Sequence, residues 1–216
     1  MCGMHLDHLS YAAGPEGIAA CVQRIGARLG AGFGDGGLHP SFGTRNFVLP
    51  LADETYLEVV EALDHPAADR APFGRAVLAR KRAGGGWLAW AIRVPDIAPL
   101  EQRLGRAAAH GHRRRPDGVD LRWRQIGIND VTEDPQLPFF VQWETEDAEH
   151  PSAAGSSIAL KRLEIAGDEE TVERYLGVPA ARPFEGIEVE WVPTDDGDTG
   201  VVAAVFETPR GEVRID

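Results

Sequence analysis

Alternating apolar and polar side chains mark two neighbouring strands within residues 38–63. The segment predicts a strand, a tight turn and a second strand, at residues 44–51, 52–54 and 55–61. An acidic turn between runs of Val, Leu, Phe, Thr and Tyr is typical of a β-hairpin. In the second strand, the period of two places Tyr56, Glu58 and Val60 on one face. Glu58 is therefore either exposed on a wet face or a buried carboxylate that has a partner.

The order of one strand, one helix and several strands occurs three times along the chain. The first unit contains a strand, a helix, a glycine-rich loop and the hairpin, at residues 6–12, 15–29, 30–37 and 44–61. A connecting helix follows at residues 71–82. The second unit contains a strand, a helix and two strands, at residues 87–94, 97–104, 121–128 and 139–144. The third contains a strand, a helix and three strands, at residues 158–166, 168–177, 187–192, 201–207 and 212–215. Such internal repetition predicts repeated structural modules.

The third unit follows a stretch of small residues at 151–157, which is typical of a linker. We therefore divide the chain into a domain of residues 1–150 and a smaller module of residues 156–216. The helix of this module has an apolar stripe that needs a partner surface. We expect the module to pack against the first two units.

Composition limits the partners of this chain. Its 216 residues carry a formal net charge of -12, and 43% of them are hydrophobic. An acidic surface argues against nucleic acids and anionic membranes as partners, and no apolar run approaches the ~20 residues of a membrane span. No secretory signal is visible at the start, and two cysteines do not make a disulfide framework. We therefore expect a cytoplasmic protein.

A basic run at residues 110–116 is the exception to the acidic composition. It is predicted as a solvated loop after a helix. The alternative is a patch that attracts an anionic substrate.

Four motifs resemble the vicinal oxygen chelate superfamily, and within it the glyoxalase-like group of bacterial proteins. They are HLDH at 5–8, HPSFGTRN at 39–46, YLE at 56–58 and PFFVQW at 138–143. The resemblance covers about residues 4–146, whereas the third unit shares the order of elements but lacks the motifs.

The resemblance implies an α+β fold of paired βαβββ modules, here residues 4–63 and 86–145, whose sheets curl into half-barrels. Members of the superfamily hold a divalent metal in the concavity, where it acts as a Lewis acid toward adjacent substrate oxygens. The resemblance therefore implies a small-molecule enzyme of the glyoxalase, isomerase or ring-cleaving dioxygenase type. The alternative is a non-catalytic protein of the same fold that binds or sequesters a small molecule.

The ligand positions that the resemblance implies are only partly filled by metal-binding side chains. His8 and Glu58 stand at the positions of the first module, and Trp90 and Gln142 at those of the second. Trp cannot ligate a metal, Gln is a weak donor, and a zinc site wants three protein ligands. His39 is the nearby third candidate. We expect either one divalent ion (Zn, Fe, Mn or Ni) on His8 and Glu58, or no ion; a monomer and a homodimer are both left open.

We predict that one cavity collects most of the candidate residues: His8, His39, Asn46, Glu58, Trp90 and Gln142. His8, Glu58 and His39 are the candidate catalytic residues. The candidates for substrate binding are Asn46, Trp90, Trp123 and Gln142. The alternatives are a satisfied core histidine, an inward amide and core tryptophans. His5 and Asp7 are expected to point away from His8.

Overall fold

The computed structural model describes residues 3–194 and 197–216, and these residues form twelve β-strands and five α-helices. The strands are β1 (His5–Ala12), β2 (Gly34–His39), β3 (Thr44–Pro50), β4 (Tyr56–Ala62), β5 (Gly86–Arg93), β6 (Ala109–Arg114), β7 (Asp120–Ile126), β8 (Phe139–Trp143), β9 (Ala159–Ala166), β10 (Glu188–Val192), β11 (Gly200–Thr208) and β12 (Gly211–Ile215). The helices are α1 (Ile18–Leu29), α2 (Pro66–Arg70), α3 (Pro72–Arg82), α4 (Ala98–Leu104) and α5 (Glu169–Leu176).

Two βαβββ modules close into one eight-stranded barrel, in the order β1-β4-β3-β2-β6-β7-β8-β5. In each module the first strand pairs in parallel with the last, β1 with β4 and β5 with β8. Antiparallel pairing of β1 with β5 and of β2 with β6 joins the two halves. The predicted fold class of α+β with paired βαβββ half-barrels is confirmed.

The β3–β4 hairpin has the predicted turn. Asp53 and Glu54 both have a φ of 57°, which is the left-handed conformation that a two-residue hairpin turn requires. Asp is one of the residues that tolerates this conformation best. The resulting register pairs Val48 with Glu58 and places the Glu58 side chain inside the barrel.

Side-chain alternation along β1 and β4 separates the barrel interior from an apolar exterior. Leu9, Leu57 and Val59 face outward and join one large hydrophobic cluster with α1. This helix contributes four buried side chains at helical spacing, namely Ile18, Cys21, Ile25 and Leu29. A second cluster, which includes Val60, Ala89 and Ala91, fills the barrel and its contact with α3.

The third unit packs on the outer face of the barrel. Its strands form a separate sheet in the order β10-β9-β11-β12. The Trp90 indole donates a hydrogen bond to the Gln136 carbonyl over 3.0 Å and packs on Phe184, with ring centroids 5.2 Å apart. Trp87 Nε1 donates to the carbonyl of Ile215 over 3.1 Å. Side chains of the barrel and of this sheet share one core.

Two barrel strands lie where the sequence predicted loops. Strand β2 occupies part of the glycine-rich segment 30–37, and β6 occupies most of the basic run 110–116, so the prediction of a solvated loop there is wrong. Both strands lie at the join between the two modules, where backbone pairing rather than apolar alternation specifies a strand. At Gly111 of β6 a Cβ would lie 2.3 Å from the Trp123 ring, so the packing there requires a residue without a side chain.

The segment 151–157, which was predicted as a linker, is partly packed into the protein. The residue that precedes it, His150, is buried, as is Ser152. Cys21 is buried, and burial raises the pKa of its thiol to about 11; Cys2 lies outside the described residues. The described helices are all too short or too polar to cross a membrane.

Trp90→Phe tests the contact between the barrel and the outer sheet. The change removes the indole donor, leaves the Gln136 carbonyl unpaired and opens a small void, so we expect the free energy of unfolding in urea to fall by about 1–3 kcal/mol. Trp191→Phe, on the half-buried strand β10, is the matched control and should cost less. An unchanged unfolding free energy for Trp90→Phe would contradict this account of the interface.

Candidate functional site

The barrel encloses a cavity of about 40 Å³. At ~10–15 Å³ for one water, this space holds roughly three waters or the reactive end of a small molecule. Its walls combine aromatic rings with a few polar groups. They are His8, His39, Phe42, Tyr56, Glu58, Phe73, Arg113, Trp123, Gln125, Ile128, Phe139, Val141 and Trp143. Four of the predicted residues thus line it, namely His8, His39, Glu58 and Trp123.

The imidazole of His8 is held by a carboxylate that the sequence placed on the other face. His8 Nδ1 donates a hydrogen bond to Asp7 Oδ2 over 2.7 Å. The pairing of β1 with β5 shifts register between Leu6 and His8, and this bulge breaks the period of two that the prediction assumed. Asp7 is fully buried and bonded to His8, so the expectation that it points away from His8 is wrong. His5 is exposed.

Asp7 accepts two further hydrogen bonds at its other oxygen. The donors to Oδ1 are Trp143 Nε1 over 3.0 Å and His150 Nε2 over 3.2 Å. His150 Nδ1 in turn accepts from the Ser152 backbone N–H, which leaves the proton on Nε2. Burial alone would raise the pKa of Asp7, but the hydrogen bonds from His150 and His8 outweigh it and hold that pKa well below its usual range. Asp7 is therefore an ionised buried carboxylate.

Glu58 is a second buried carboxylate. Ser10 Oγ donates to its Oε1 over 2.5 Å, and Asn46 Nδ2 donates to its Oε2 over 2.6 Å. Burial raises the pKa of Glu58, whereas the facing His8 imidazole and these two hydrogen bonds lower it, and the net pKa lies below the usual value. His8 Nε2 lies 3.9 Å from Glu58 Oε1. The predicted His–Glu pair thus faces one cavity, with the imidazole between two carboxylates.

Asn46 does not line the cavity but orients Glu58. Its Oδ1 accepts a hydrogen bond from Arg113 Nη1 over 3.1 Å, so its Nδ2 is the atom left to donate to the carboxylate. The amide is fully buried. A chain of contacts therefore runs from Arg113 through Asn46 to Glu58.

His39 faces the cavity from the end of β2. Its Nδ1 lies 3.2 Å from Thr44 Oγ1, and its ring meets Trp123 edge to face. Burial, and then the charge of Arg113, lowers the pKa of His39 to about 3. His39 is therefore a neutral imidazole near neutral pH.

Aromatic rings shape the rest of the wall around His8. Tyr56 stacks on the imidazole with centroids 4.6 Å apart, and Phe139 meets it edge to face at 5.4 Å. Burial raises the pKa of Tyr56 well above its usual value, so the phenol keeps its proton. Trp123 Nε1 donates to Gln125 Oε1 over 2.7 Å, which leaves the Gln125 amide nitrogen for other partners.

Trp90 and Gln142 do not reach the cavity, so this part of the prediction is wrong. Trp90 is buried against the outer sheet, and Gln142 Oε1 accepts a hydrogen bond from the Ile97 backbone N–H outside the barrel. A shift of one residue moves a strand side chain to the opposite face. The inward positions of the second module belong instead to the neighbours of these residues: Ala89, Ala91, Phe139, Val141 and Trp143.

The side chains present do not fit a metal site with three protein ligands. Within residues 3–194 and 197–216, no group of three His, Cys, Asp or Glu side chains is arranged so that it could hold a metal ion. Both oxygens of Glu58 already accept hydrogen bonds, and Nδ1 of His8 is bound to Asp7. The inward positions of β5 hold alanines, and the cationic Arg113 lies in the same wall. The expected divalent ion on His8 and Glu58 therefore lacks a third protein ligand.

Comparison with known proteins now places the chain in a family. A model described as "Glyoxalase-like domain" matches residues 6–178. The chain belongs to the glyoxalase-like domain family. This membership, within the vicinal oxygen chelate superfamily, confirms the resemblance read from the motifs.

Solved structures share the fold at low identity. A hypothetical protein from Staphylococcus aureus is 14% identical, with a TM-score of 0.57 over 99% of this chain and 86% of that one. Methylmalonyl-CoA epimerase from Mycobacterium tuberculosis is 14% identical, with a TM-score of 0.43 over 66% of this chain and 88% of that one. No curated protein matches the sequence. At 14% identity, the Staphylococcus aureus structure shows a shared fold alone.

Sequence reasoning missed several residues of the site: Asp7, Tyr56, Arg113, Gln125 and His150. Tyr56 was predicted on the Glu58 face, so the alternation already contained its signal. Arg113 lies in a run of basic residues, and the sequence does not show which of them faces the barrel interior. Only the pairing of β6 with β7 identifies it. His150 lies far along the chain and carries no local signal.

His39→Gln tests the buried neutral imidazole. In the unfolded chain His39 takes up a proton below about pH 6.5, whereas the folded protein resists protonation until about pH 3. Its contribution therefore makes the wild-type unfolding free energy fall as the pH drops through this window. We therefore expect the unfolding free energy of His39→Gln, measured by urea denaturation, to fall less steeply than that of the wild type between about pH 7 and about pH 4. Equal slopes for both proteins would show that His39 is protonated normally in the fold.

Proposed function

We propose that the barrel cavity is the active site of a small-molecule enzyme of the glyoxalase or isomerase type, which removes a proton from a carbon next to a carbonyl group. The observation that carries the proposal is the Asp7–His8 pair, whose free Nε2 is directed toward Glu58 at the cavity wall. Superfamily membership supports an enzyme of this general kind. The proton-transfer chemistry is argued from the site itself.

His8 is the general base in this proposal. Because Nδ1–H is donated to Asp7, the neutral imidazole presents the lone pair of Nε2. When Nε2 takes up a substrate proton, the ionised Asp7 stabilises the imidazolium that forms. General base catalysis of this kind contributes about 10²–10⁴-fold to a rate.

Glu58 supports the charged imidazole rather than supplying the proton. Its carboxylate stays ionised because Ser10, Asn46 and His8 lower its pKa. At 3.9 Å from Nε2, Oε1 is close enough to favour the protonated imidazole electrostatically. The negative charge that develops on a substrate oxygen needs a donor, and the free amide nitrogen of Gln125 is in the same wall.

A binding protein of the same fold is the second candidate. Both oxygens of Glu58 already have hydrogen-bond donors, and the cavity is small. These features also suit a site that holds a small molecule without changing it. The two candidates differ in whether the bound molecule exchanges a proton.

Deuterium exchange separates the two candidates. Pyruvate, 2-oxobutanoate and acetoacetate in D₂O are followed by proton NMR, and we expect the wild-type protein to speed exchange of at least one of them. His8→Gln should reduce the enzymatic rate by about 10²-fold or more, because the base is lost. His110→Gln, at an exposed position of β6, is the matched control and should leave the rate unchanged.

Two results would contradict the proton-transfer proposal. One is exchange that His8→Gln leaves intact. The other is binding of these compounds, seen by calorimetry, without any exchange above buffer; this would favour the binding protein.

Chelation tests whether the exchange depends on the residues alone. Because the donor set does not fit a three-ligand metal site, we expect the exchange rate to survive dialysis against EDTA and to show no gain on adding Zn²⁺, Mn²⁺ or Ni²⁺. Loss of the rate on dialysis, with recovery on adding one of these ions, would show that a metal bound by fewer protein ligands takes part.

A further inference from the structure

Arg113 is a buried cation that contacts no carboxylate of the described residues. It lies on the inward face of β6 with 3% of its surface exposed. Among the residues that the structure describes, no carboxylate lies within ion-pair distance of its guanidinium, and its Nε has no hydrogen-bond partner. Its one hydrogen bond is the Nη1 contact with Asn46. The arginine thus has five donors and a full charge but a single neutral acceptor.

An unpaired buried charge is costly, so this arrangement needs a reason. The buried carboxylates Glu58 and Asp7 favour the charge of Arg113 from a distance, but neither contacts its guanidinium. Asp7 is bound by His8, His150 and Trp143, and the oxygens of Glu58 are bound by other donors. The positive charge of Arg113 is therefore available to a ligand.

The local packing holds the guanidinium firmly against the wall. Gly36 of β2 has no Cβ, and one placed there would lie 2.2 Å from Asn46 Oδ1 and 3.0 Å from Arg113 Nη1. The absence of a side chain at Gly36 lets the amide and the guanidinium meet. A fixed guanidinium loses little entropy when it binds a planar oxyanion.

We propose that Arg113 binds the carboxylate of a small substrate whose remaining atoms occupy the aromatic cavity beside His8. The inference rests on the proposed function, since it assigns the substrate class of the same site. A guanidinium and a carboxylate match in charge and in planar geometry. The small cavity with its apolar rings suits a carboxylate with a short apolar substituent. Arg113 is the one Arg or Lys among the described residues that line it, which suits one negative charge rather than two.

Arg115 lies two residues further along the chain and borders a second cleft that Arg113 also lines, but it does not share this role. Arg115 forms ion pairs with Glu149 and Asp117, so its charge is already neutralised within the protein. It provides a control, because removing it changes the net charge by the same amount.

Binding of propionate and of propionamide tests the inference directly. The two molecules have nearly the same shape, but only propionate is charged. Trp123 and Trp143 line the cavity, so tryptophan fluorescence reports binding, and calorimetry gives the dissociation constants. We expect the wild-type protein to bind propionate about tenfold or more tightly than propionamide.

Variants assign the preference to Arg113. Arg113→Gln keeps an amide donor for Asn46 and should lose the preference for propionate, whereas Arg115→Gln should keep it. If Arg113→Gln does not fold by circular dichroism, equal affinity of the wild-type protein for the two ligands still overturns the inference. Equal affinity for both ligands, no detectable binding of propionate, or a preference that Arg113→Gln retains would each overturn the inference.

The test is independent of proton transfer. A carboxylate preference without deuterium exchange would leave the inference standing and refute the proposed enzyme activity. Deuterium exchange without a carboxylate preference would overturn the inference and leave the proposed enzyme activity standing.

Discussion

The burial of two ionised carboxylates inside a closed barrel is the constraint on which the rest of the site depends. A carboxylate taken out of water needs donors for its oxygens, or it takes up a proton instead. Glu58 is satisfied from β1 and β3 by Ser10 and Asn46. Asp7 is satisfied by His8, by a tryptophan of β8 and by a histidine beyond the barrel strands. The polar interior is thus a network whose donors come from β1, β3, β8 and the segment after β8, and the orientation of His8 follows from it.

The same network supports the proposed role of His8 as a base inside an apolar barrel. The pairing of Nδ1 with Asp7 leaves Nε2 as the atom of His8 that can accept a proton. The aromatic rings around it exclude water, which strengthens the electrostatic interactions among the remaining charged groups. In the proposed carboxylate site, Arg113 supplies the positive charge.

Much of the fold could be predicted from the sequence, because hydrophobic alternation and repetition specify the strands that bury apolar faces. The hairpin of β3 and β4 and the face of Glu58 follow from the period of two. The faces of Trp90 and Gln142 do not, because an alignment between modules that is wrong by one residue inverts every side chain. The position of Asp7 was predicted wrongly for a related reason, because a bulge in β1 interrupts the alternation of its side chains. Contacts such as that of His150 with Asp7 arise from tertiary structure alone and leave no local pattern in the sequence.

The tautomer of His8 tests the central claim most directly. Long-range ¹H–¹⁵N correlation spectra, recorded at a pH where the imidazole is neutral, distinguish a proton on Nδ1 from one on Nε2. The account predicts the Nδ1–H form, held by Asp7, and a change in the tautomer equilibrium in Asp7→Asn. A neutral His8 with its proton on Nε2, unaffected by Asp7→Asn, would contradict the account, because the atom assigned as the base would then have no lone pair to offer.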